Sequence, residues 1–270
     1  MRYPETIAIH IILIIIFIFT LIPLSWLFLA SLDPAASSPT AKIPSGITIE
    51  NFYGAFSGRP LRWILNSLLI AVSTATLVVF LSTMAAYPFS RMSFFGRNIL
   101  LYGFVFLRVI PVSTFILPVY LIFVKLKLLN TYLSVILTLS ILGIPFSLLL
   151  LKGFYDTIPI TFEEASWIDG CSKLKSIFCI VLPQCGPGLA VAWFMTFMSA
   201  WGEFLIPFIL LRRMALMPLS VGIFTTYGEH GVVNYGLLSS MSLLYAIPPI
   251  LVYFFVQKHL VKGMVGYIKG

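Results

Sequence analysis

The chain has 270 residues, of which 60% are hydrophobic and only 10% are charged, and its formal net charge is +8. Too few charged residues are present to cover the surface of a soluble globular protein. The composition therefore excludes that class and predicts an integral membrane protein. The positive charges are dispersed along the chain, which fits contact with the anionic headgroups of a lipid bilayer and predicts no nucleic-acid partner.

Six apolar segments are long enough to cross a bilayer, since a membrane helix needs about 20 residues. The predicted spans are Ile7 to Leu32, Trp63 to Phe89, Ile99 to Val124, Leu133 to Phe154, Leu189 to Leu211 and Leu238 to Val256. The first is too long for a cleaved signal sequence and is predicted to be retained. The sequence therefore predicts an all-α polytopic membrane protein with six transmembrane helices, in a single domain covering residues 1–270.

The connections are predicted to alternate between the two sides of the membrane. Residues 33–62, rich in Pro, Ser and Gly, predict one external loop, and residues 212–237 predict another. Near the middle of the second loop are Tyr227, Gly228, Glu229 and His230. His230 is either a ligand or a solvated loop residue. Nine Lys and Arg residues near span ends fall on one side and seven on the other, which favours both termini in the cytoplasm of a multi-pass cell-membrane protein.

The connection 155–187 is a polar insert on the predicted cytoplasmic side. Thr161 and Glu164 have the spacing of a capping box, which predicts a short helix from Thr161 to about Asp169 that stops at Gly170. Ser172 is predicted to cap a second helix from Lys173 to about Ile180, which Pro183 would end.

Such short helices need a surface to pack on, because isolated helices of this length are marginal in water. Two acidic residues, Glu164 and Asp169, offer charge to a partner, and the small Ala165 and Ser166 permit its close approach. The side chains predicted to enter the membrane face are Trp167, Ile168, Ile177 and Phe178. The alternative is an interfacial amphipathic hairpin without a partner.

Charges within spans are costly and mark functional hypotheses. Arg108 in the third span and Glu203 in the fifth are predicted either to pair, to line a pathway or to reach the membrane interface from a span end. Aromatic residues in the spans, Trp201 among them, would either stack on a sugar or pack between helices. The candidate pathway residues are Arg108, Glu203, Asn66 and Trp201.

No nucleotide-binding or catalytic motif occurs in the chain. A Gly-x-x-x-x-Gly-Lys-[Ser/Thr] phosphate loop and a His-Glu-x-x-His pair are both absent, so energy for any transport must come from another chain or from an ion gradient. Cys171, Cys179 and Cys185 do not have the spacing of a metal site and are predicted to be free thiols. The sequence predicts that this chain is no enzyme and binds neither metal nor cofactor.

The polar insert resembles a known family. Glu164-Ala165-Ser166, Asp169-Gly170-Cys171 and Ile180-Val181-Leu182-Pro183 resemble the Glu-Ala-Ala loop of membrane subunits of binding-protein-dependent ABC importers. Further segments are similar to the maltose-type G subunit of the carbohydrate-uptake branch: Trp63 to Ser67, Ala85 to Met92, Pro118 to Tyr120, Leu128 to Thr131, Trp201 to Leu205 and Val261 to Gly270. Ser166 and Cys171 replace the usual alanines, and Gly202 replaces a common asparagine.

This resemblance implies a type I ABC importer permease fold and sites for its partners. The residues implied to couple to a dimer of ATPase subunits are Glu164, Ala165, Ser166, Asp169 and Gly170. The ATPase-facing tail would include Lys262, Gly263, Lys269 and Gly270. An external solute-binding protein would contact Tyr227, Gly228, Glu229 and His230. A second, homologous permease subunit is implied, ATP and Mg²⁺ would be bound by the ATPase subunits, and the implied substrate is a disaccharide or short oligosaccharide.

Other functions remain compatible with the residues. The same machinery could import glycerol-phosphate or a polyol. A secondary transporter would use an ion gradient and show an internal repeat or several ionisable groups at mid-membrane. A membrane scaffold would need partner-binding surfaces only.

Overall fold

The computed structural model describes residues 3–36, 43–226 and 233–268, and the regular elements within these ranges are all helices. The α-helices in chain order are α1 (Tyr3–Leu32), α2 (Glu50–Ala55), α3 (Gly58–Arg91), α4 (Arg97–Leu107), α5 (Val112–Lys125), α6 (Tyr132–Asp156), α7 (Thr161–Ile168), α8 (Lys173–Ser176), α9 (Leu182–Gln184), α10 (Gly186–Gly202), α11 (Leu205–Leu210), α12 (Leu219–Thr226) and α13 (Tyr235–Ile268). A π-helical segment, Ile177–Val181, joins α8 to α9, and a 3₁₀ turn, Met214–Leu216, precedes α12.

Among the described residues, four helices are individually long and apolar enough to cross a membrane: α1, α3, α6 and α13. Two bent pairs raise the number to six, namely α4 with α5 at 98°, and the segment Lys173–Gln184 with α10 at 76°. The predicted all-α membrane fold is confirmed, and six spans result where each bent pair counts as one.

The third and fifth predicted spans are not continuous helices. The third is broken between Leu107 and Val112, where Pro111 is extended and cannot donate a backbone N–H. The fifth ends at Gly202, because Glu203 is extended before α11 begins at Leu205.

The central core lies where α3 packs against α6 and α10. Ala71, Ala75 and Phe197 are fully buried there. Helix α6 approaches closely, since a Cβ added to Gly143 would lie 3.1 Å from a methyl carbon of Val78. Small residues allow helix backbones to approach in a membrane, where burial of apolar surface supplies little driving force.

Two further cores lie at the ends of the bundle. At one end, Tyr155 and Val181 are fully buried beneath the helical hairpin formed by residues 161–184; we call this the hairpin end. At the opposite end, Trp63 of α3 packs with Leu219 and Met241. Helix α3 therefore contributes to all three cores and spans the bundle from end to end.

Candidate functional site

The first helix of the hairpin begins without a side-chain cap. Ile160 precedes α7 with φ −61° and ψ −24°, and no side chain caps the helix. Thr161 is already the first helical residue. The predicted capping box is therefore wrong, since a residue inside the first turn lacks the extended backbone from which its hydroxyl caps a helix.

The end of α7 follows the sequence prediction. Gly170 has a φ of +87°, a left-handed conformation that L side chains rarely adopt. The backbone N–H of Cys171 donates to the carbonyl of Ser166 at 2.9 Å, and that of Gly170 donates to Trp167 at 3.1 Å. This is a Schellman motif, and it turns the chain sharply into the second helix.

The second helix starts as predicted and ends later than predicted. The Ser172 hydroxyl accepts from the backbone N–H of Lys175 at 3.3 Å, which confirms the predicted cap. Pro183 does not stop the helix, which continues to Gln184. Pro183 lies at the start of α9, directly after the π-helical segment, where its missing N–H costs little.

One face of α7 is open to solvent. Glu164, Ala165, Asp169 and Gly170 are all exposed on the hairpin. Ile168 is the most open apolar side chain there, at 87% exposure. This face offers two carboxylates, small side chains and an apolar contact to a partner.

The side chains predicted to enter the membrane face differ in their exposure. Ile168 and Phe178 are exposed, whereas Ile177 is buried in the protein beneath the hairpin. Trp167 is half-buried, and the Lys173 ammonium lies 5.5 Å from its ring centroid. The expectation for Ile177 is therefore wrong, because the π-helical segment directs it toward the core.

Ser166 fastens the two halves of the hairpin together. Its hydroxyl is buried, lies 2.8 Å from the Ser176 hydroxyl and donates to the Glu163 carbonyl at 2.7 Å. Its small size thus allows α7 and the second helix to approach each other.

Glu163 was not predicted from the sequence. It is fully buried, its Oε1 lies 2.7 Å from Nε of Arg91, and its Oε2 accepts from the Tyr87 hydroxyl at 2.7 Å. Arg91 also donates from Nη2 to the Ile158 carbonyl at 2.7 Å. Removing one partner of a buried ion pair costs about 3–5 kcal/mol, because the other charge is left without compensation. The available signal was the helical spacing of Tyr87 and Arg91, which places both on one face of α3.

The two charges predicted within spans do not pair. Oε1 of Glu203 accepts the backbone N–H groups of Leu205 and Ile206 at 3.0 and 3.2 Å, so this carboxylate caps α11. Arg108 is exposed at the break between α4 and α5, and its guanidinium lies 4.5 Å from the ring centroid of Phe146. The predicted ion pair is therefore not formed, since each group has another partner.

The other two pathway candidates hold helices together. Asn66 Nδ2 donates to the carbonyls of Ala215 and Met217 at 2.9 Å each, and its Oδ1 accepts from the Tyr132 hydroxyl at 2.7 Å. Trp201 is only 3% exposed. Its ring stacks on Tyr245 with centroids 5.1 Å apart.

The structure describes only some of the remaining candidate site residues. Lys262 and Gly263 lie within α13. Lys269, Gly270 and the predicted binding-protein contact at 227–230 fall outside the residues that the structure describes. Cys171, Cys179 and Cys185 carry free thiols, and Cys179 is exposed on the hairpin.

Three proteins with similar sequences are sugar-transport permeases by name. The chain is 31% identical over 255 residues to the sulfoquinovosyl glycerol transport system permease protein SmoH of Agrobacterium fabrum, covering 93% of this chain and 89% of that protein. It is 30% identical to the galactooligosaccharides transport system permease protein GanQ of Bacillus subtilis, covering 100% and 97%. It is also 30% identical to the arabinooligosaccharides permease AraQ of Halalkalibacterium halodurans, covering 92% and 91%.

The fold is similar to that of a solved importer subunit. A chain of a bacterial ABC transporter involved in the import of the acidic polysaccharide alginate aligns with a TM-score of 0.80 at 19% identity, covering 96% of this chain and 98% of that one. The family profile described as "Binding-protein-dependent transport system inner membrane component" matches residues 78–266. With most of its length matched, this chain belongs to the family of inner membrane components of binding-protein-dependent transport systems.

Proposed function

We propose that this chain is a permease subunit of an ATP-driven importer that takes up a glycoside or short oligosaccharide. The family membership supports the importer. The substrate class is supported by the names of the relatives, which cover sulfoquinovosyl glycerol, arabinooligosaccharides and galactooligosaccharides. All three substrates contain a sugar in glycosidic linkage, but the sugar differs from one to the next. We therefore extend the substrate class to this chain and name no particular sugar.

The exposed face of α7 is the proposed contact for an ATPase subunit, and it is the observation that carries the proposal. Glu164, Ala165 and Asp169 are open to solvent, while Glu163 and Ser166 are buried on the side toward the bundle. A helix of eight residues has little stability alone, but α7 is held to α3 by an ion pair. A rigidly held exposed helix suits the transfer of motion from an ATPase dimer that binds ATP and Mg²⁺.

Helix α1 is the proposed contact with a second permease subunit. None of its most apolar 18-residue stretch is buried within this chain. A partner subunit and lipid are the two environments that would cover it. An importer of the proposed type needs a second membrane subunit to enclose a pathway across the bilayer. Helix α1 offers a long apolar surface to such a subunit.

The hairpin end is proposed to face the cytoplasm, where ATP is available. Cys179 is an exposed native thiol on the hairpin and reports its side directly. A membrane-impermeant maleimide is expected to label this chain in inverted vesicles and not in intact cells, with a Cys179→Ser variant to identify the labelled position. Labelling of Cys179 in intact cells would contradict the orientation.

The proposed function is tested in liposomes that contain the copurified complex and its binding protein. Sugar-stimulated ATP hydrolysis and uptake are measured against a panel of glycosides, a polyol and glycerol-phosphate. Glu164→Lys reverses a charge on the exposed face of α7 and is expected to abolish stimulation while the membrane subunits stay associated. Glu50→Lys is the matched control, because Glu50 is equally an exposed glutamate and starts α2 at the opposite end.

Two results would contradict the proposal. Unchanged stimulation and uptake in Glu164→Lys would remove the assigned role of α7. Stimulation by the polyol or by glycerol-phosphate, with none by any glycoside, would replace the substrate class.

A further inference from the structure

A buried charge network joins the hairpin to a spanning helix. It consists of Glu163 on α7 with Arg91 and Tyr87 on the last turns of α3, and we call these three residues the clamp. Both carboxylate oxygens of Glu163 have a partner at 2.7 Å. The Glu163 side chain is fully buried, and that of Arg91 is 11% exposed.

The clamp is the direct polar link between α7 and the spans. Within the described residues, Glu163 is the α7 residue whose side chain hydrogen-bonds or ion-pairs with a spanning helix. The other buried polar side chain of α7, Ser166, bonds within the hairpin. Arg91 also holds the Ile158 carbonyl, just before α7, so one guanidinium fixes both the helix and the segment that leads into it.

A buried ion pair is an expensive way to hold two helices together. Apolar residues of the same volume often give equal or greater stability, so stability alone does not explain the clamp. A charged pair differs in being directional: it has one good geometry, and a small shift of either helix breaks hydrogen bonds to charged groups. The pair therefore fixes the register of α7 against α3.

The far end of α3 is fixed in a comparable way to a different segment. Trp63 Nε1 donates to the Met214 carbonyl at 2.7 Å, and the Ser67 hydroxyl accepts from the backbone N–H of Leu219 at 2.8 Å. Helix α3 is continuous between these contacts and the clamp. A displacement of α7 would thus reach the segment 214–219 through one helix.

We propose that Arg91, Glu163 and Tyr87 are positioning residues that make α3 move with α7, and so convert motion of the hairpin into rearrangement at the opposite end. The inference rests on the proposed function and adds the element that transmits the motion. Glu164 and its exposed neighbours receive force from the partner, whereas the clamp passes that force to the spans.

The test measures substrate molecules taken up per ATP hydrolysed in the reconstituted complex. Glu163→Gln keeps the shape and removes the charge, and we expect uptake per ATP to fall about tenfold while the ATPase subunits stay bound and hydrolyse ATP. The reciprocal pair Arg91→Glu with Glu163→Arg is expected to recover part of the loss. Lys152→Gln is the control, since it breaks the more exposed pair of Lys152 with Asp156 and should leave the ratio unchanged.

Tyr87→Phe decides the question if Glu163→Gln does not assemble. It keeps the ion pair and the ring and removes one hydrogen bond, and a ratio lowered about threefold supports the clamp. A wild-type ratio in Tyr87→Phe, or in an assembled Glu163→Gln complex, overturns the inference and leaves the proposed function intact. If the wild-type complex shows no sugar-dependent ATP hydrolysis, the proposed function fails and the inference fails with it.

Discussion

Helices α1 and α3 are similar in length, with 30 and 34 residues, and differ in what surrounds them. Ile, Leu and Phe fill α1, yet most of it is exposed. Helix α3 is less apolar, and the most apolar 18-residue window of α3 is 39% buried. The buried positions of α3 recur every three or four residues and include many small or polar ones: Asn66, Ser67, Ala71, Thr74, Ala75, Ser82, Thr83 and Ala86.

The difference shows what holds a helix inside this bundle. Lipid chains are as apolar as leucine, so hydrophobicity does not select a protein neighbour over lipid. Small side chains let backbones approach, and Ser, Thr and Asn add hydrogen bonds between helices. The most hydrophobic helix is accordingly exposed, and the helix with small and polar residues is central.

The strongest test of this comparison enlarges a small residue on each helix. Ala71 on α3 is fully buried, whereas Ala8 on α1 is exposed. Ala71→Leu is expected to destabilise the subunit by about 3 kcal/mol through overpacking. Ala8→Leu should leave stability unchanged. Unfolding in mixed detergent micelles measures both, and a large loss from Ala8→Leu would break the comparison.

A second test concerns the close contact between α3 and α12. A Cβ at Gly222 would overlap Cε3 of Trp63, whose indole is held by its bond to Met214. Gly222→Ala is expected to cost about 2 kcal/mol because the ring cannot move aside freely. Gly202→Ala is the control, since a Cβ added at Gly202 would have no neighbouring atom within 4 Å. Equal melting temperatures of the two variants would argue against tight packing at α12.

A third test removes hydrogen bonds from α3 and keeps its backbone. Asn66→Ala leaves the Tyr132 hydroxyl and two carbonyls without their partner, at a cost of about 1–3 kcal/mol. Thermal unfolding should show this loss. An unchanged melting temperature together with reduced uptake would support the pathway role that the sequence predicts for Asn66.

The smallest expected effect lies just beyond the end of α1. The backbone N–H of Ala35 and the hydroxyl of Ser45 donate to Asp33, and these bonds lower the pKa of its carboxyl below the ordinary value of 3.8. Because the folded pKa is lowered, the contribution to stability is present above pH 3.8 and is lost as the pH falls through the folded pKa. Asp33→Asn should remove this acid sensitivity, as measured by unfolding across that range. An identical pH profile in the variant would show that the loop does not depend on Asp33.

Much of what depends on local chemistry was predicted, although the capping box at Thr161 and the stop at Pro183 were not observed. Apolar length predicted the spans, the conformational freedom of glycine predicted the stop at Gly170, and the Ser172 hydroxyl predicted a cap. These features need only neighbouring residues. Membership of the importer family was likewise predicted from motif residues that lie close together in the chain.

Features that depend on distant residues were not predicted. Glu163 and Glu164 are adjacent and chemically identical, yet Glu163 is buried against Arg91 and Tyr87 of a distant helix, whereas Glu164 is exposed. The 98° bend between α4 and α5 lies at Pro111, and its size does not follow from the local sequence. Arg108 and Glu203 failed as a pair because backbone N–H groups and an aromatic ring were available nearby.

The continuity of α3 has a consequence in distance. At 1.5 Å per residue, its 34 residues extend about 51 Å, well beyond a hydrocarbon layer of about 30 Å. Arg91 and Asn66 are separated by about 38 Å along this axis. A tilt of about 10° about the Arg91 end would displace the Asn66 end sideways by about 7 Å. Because Asn66 holds the carbonyls of Ala215 and Met217, a small rotation at the hairpin end would carry this segment through a similar distance.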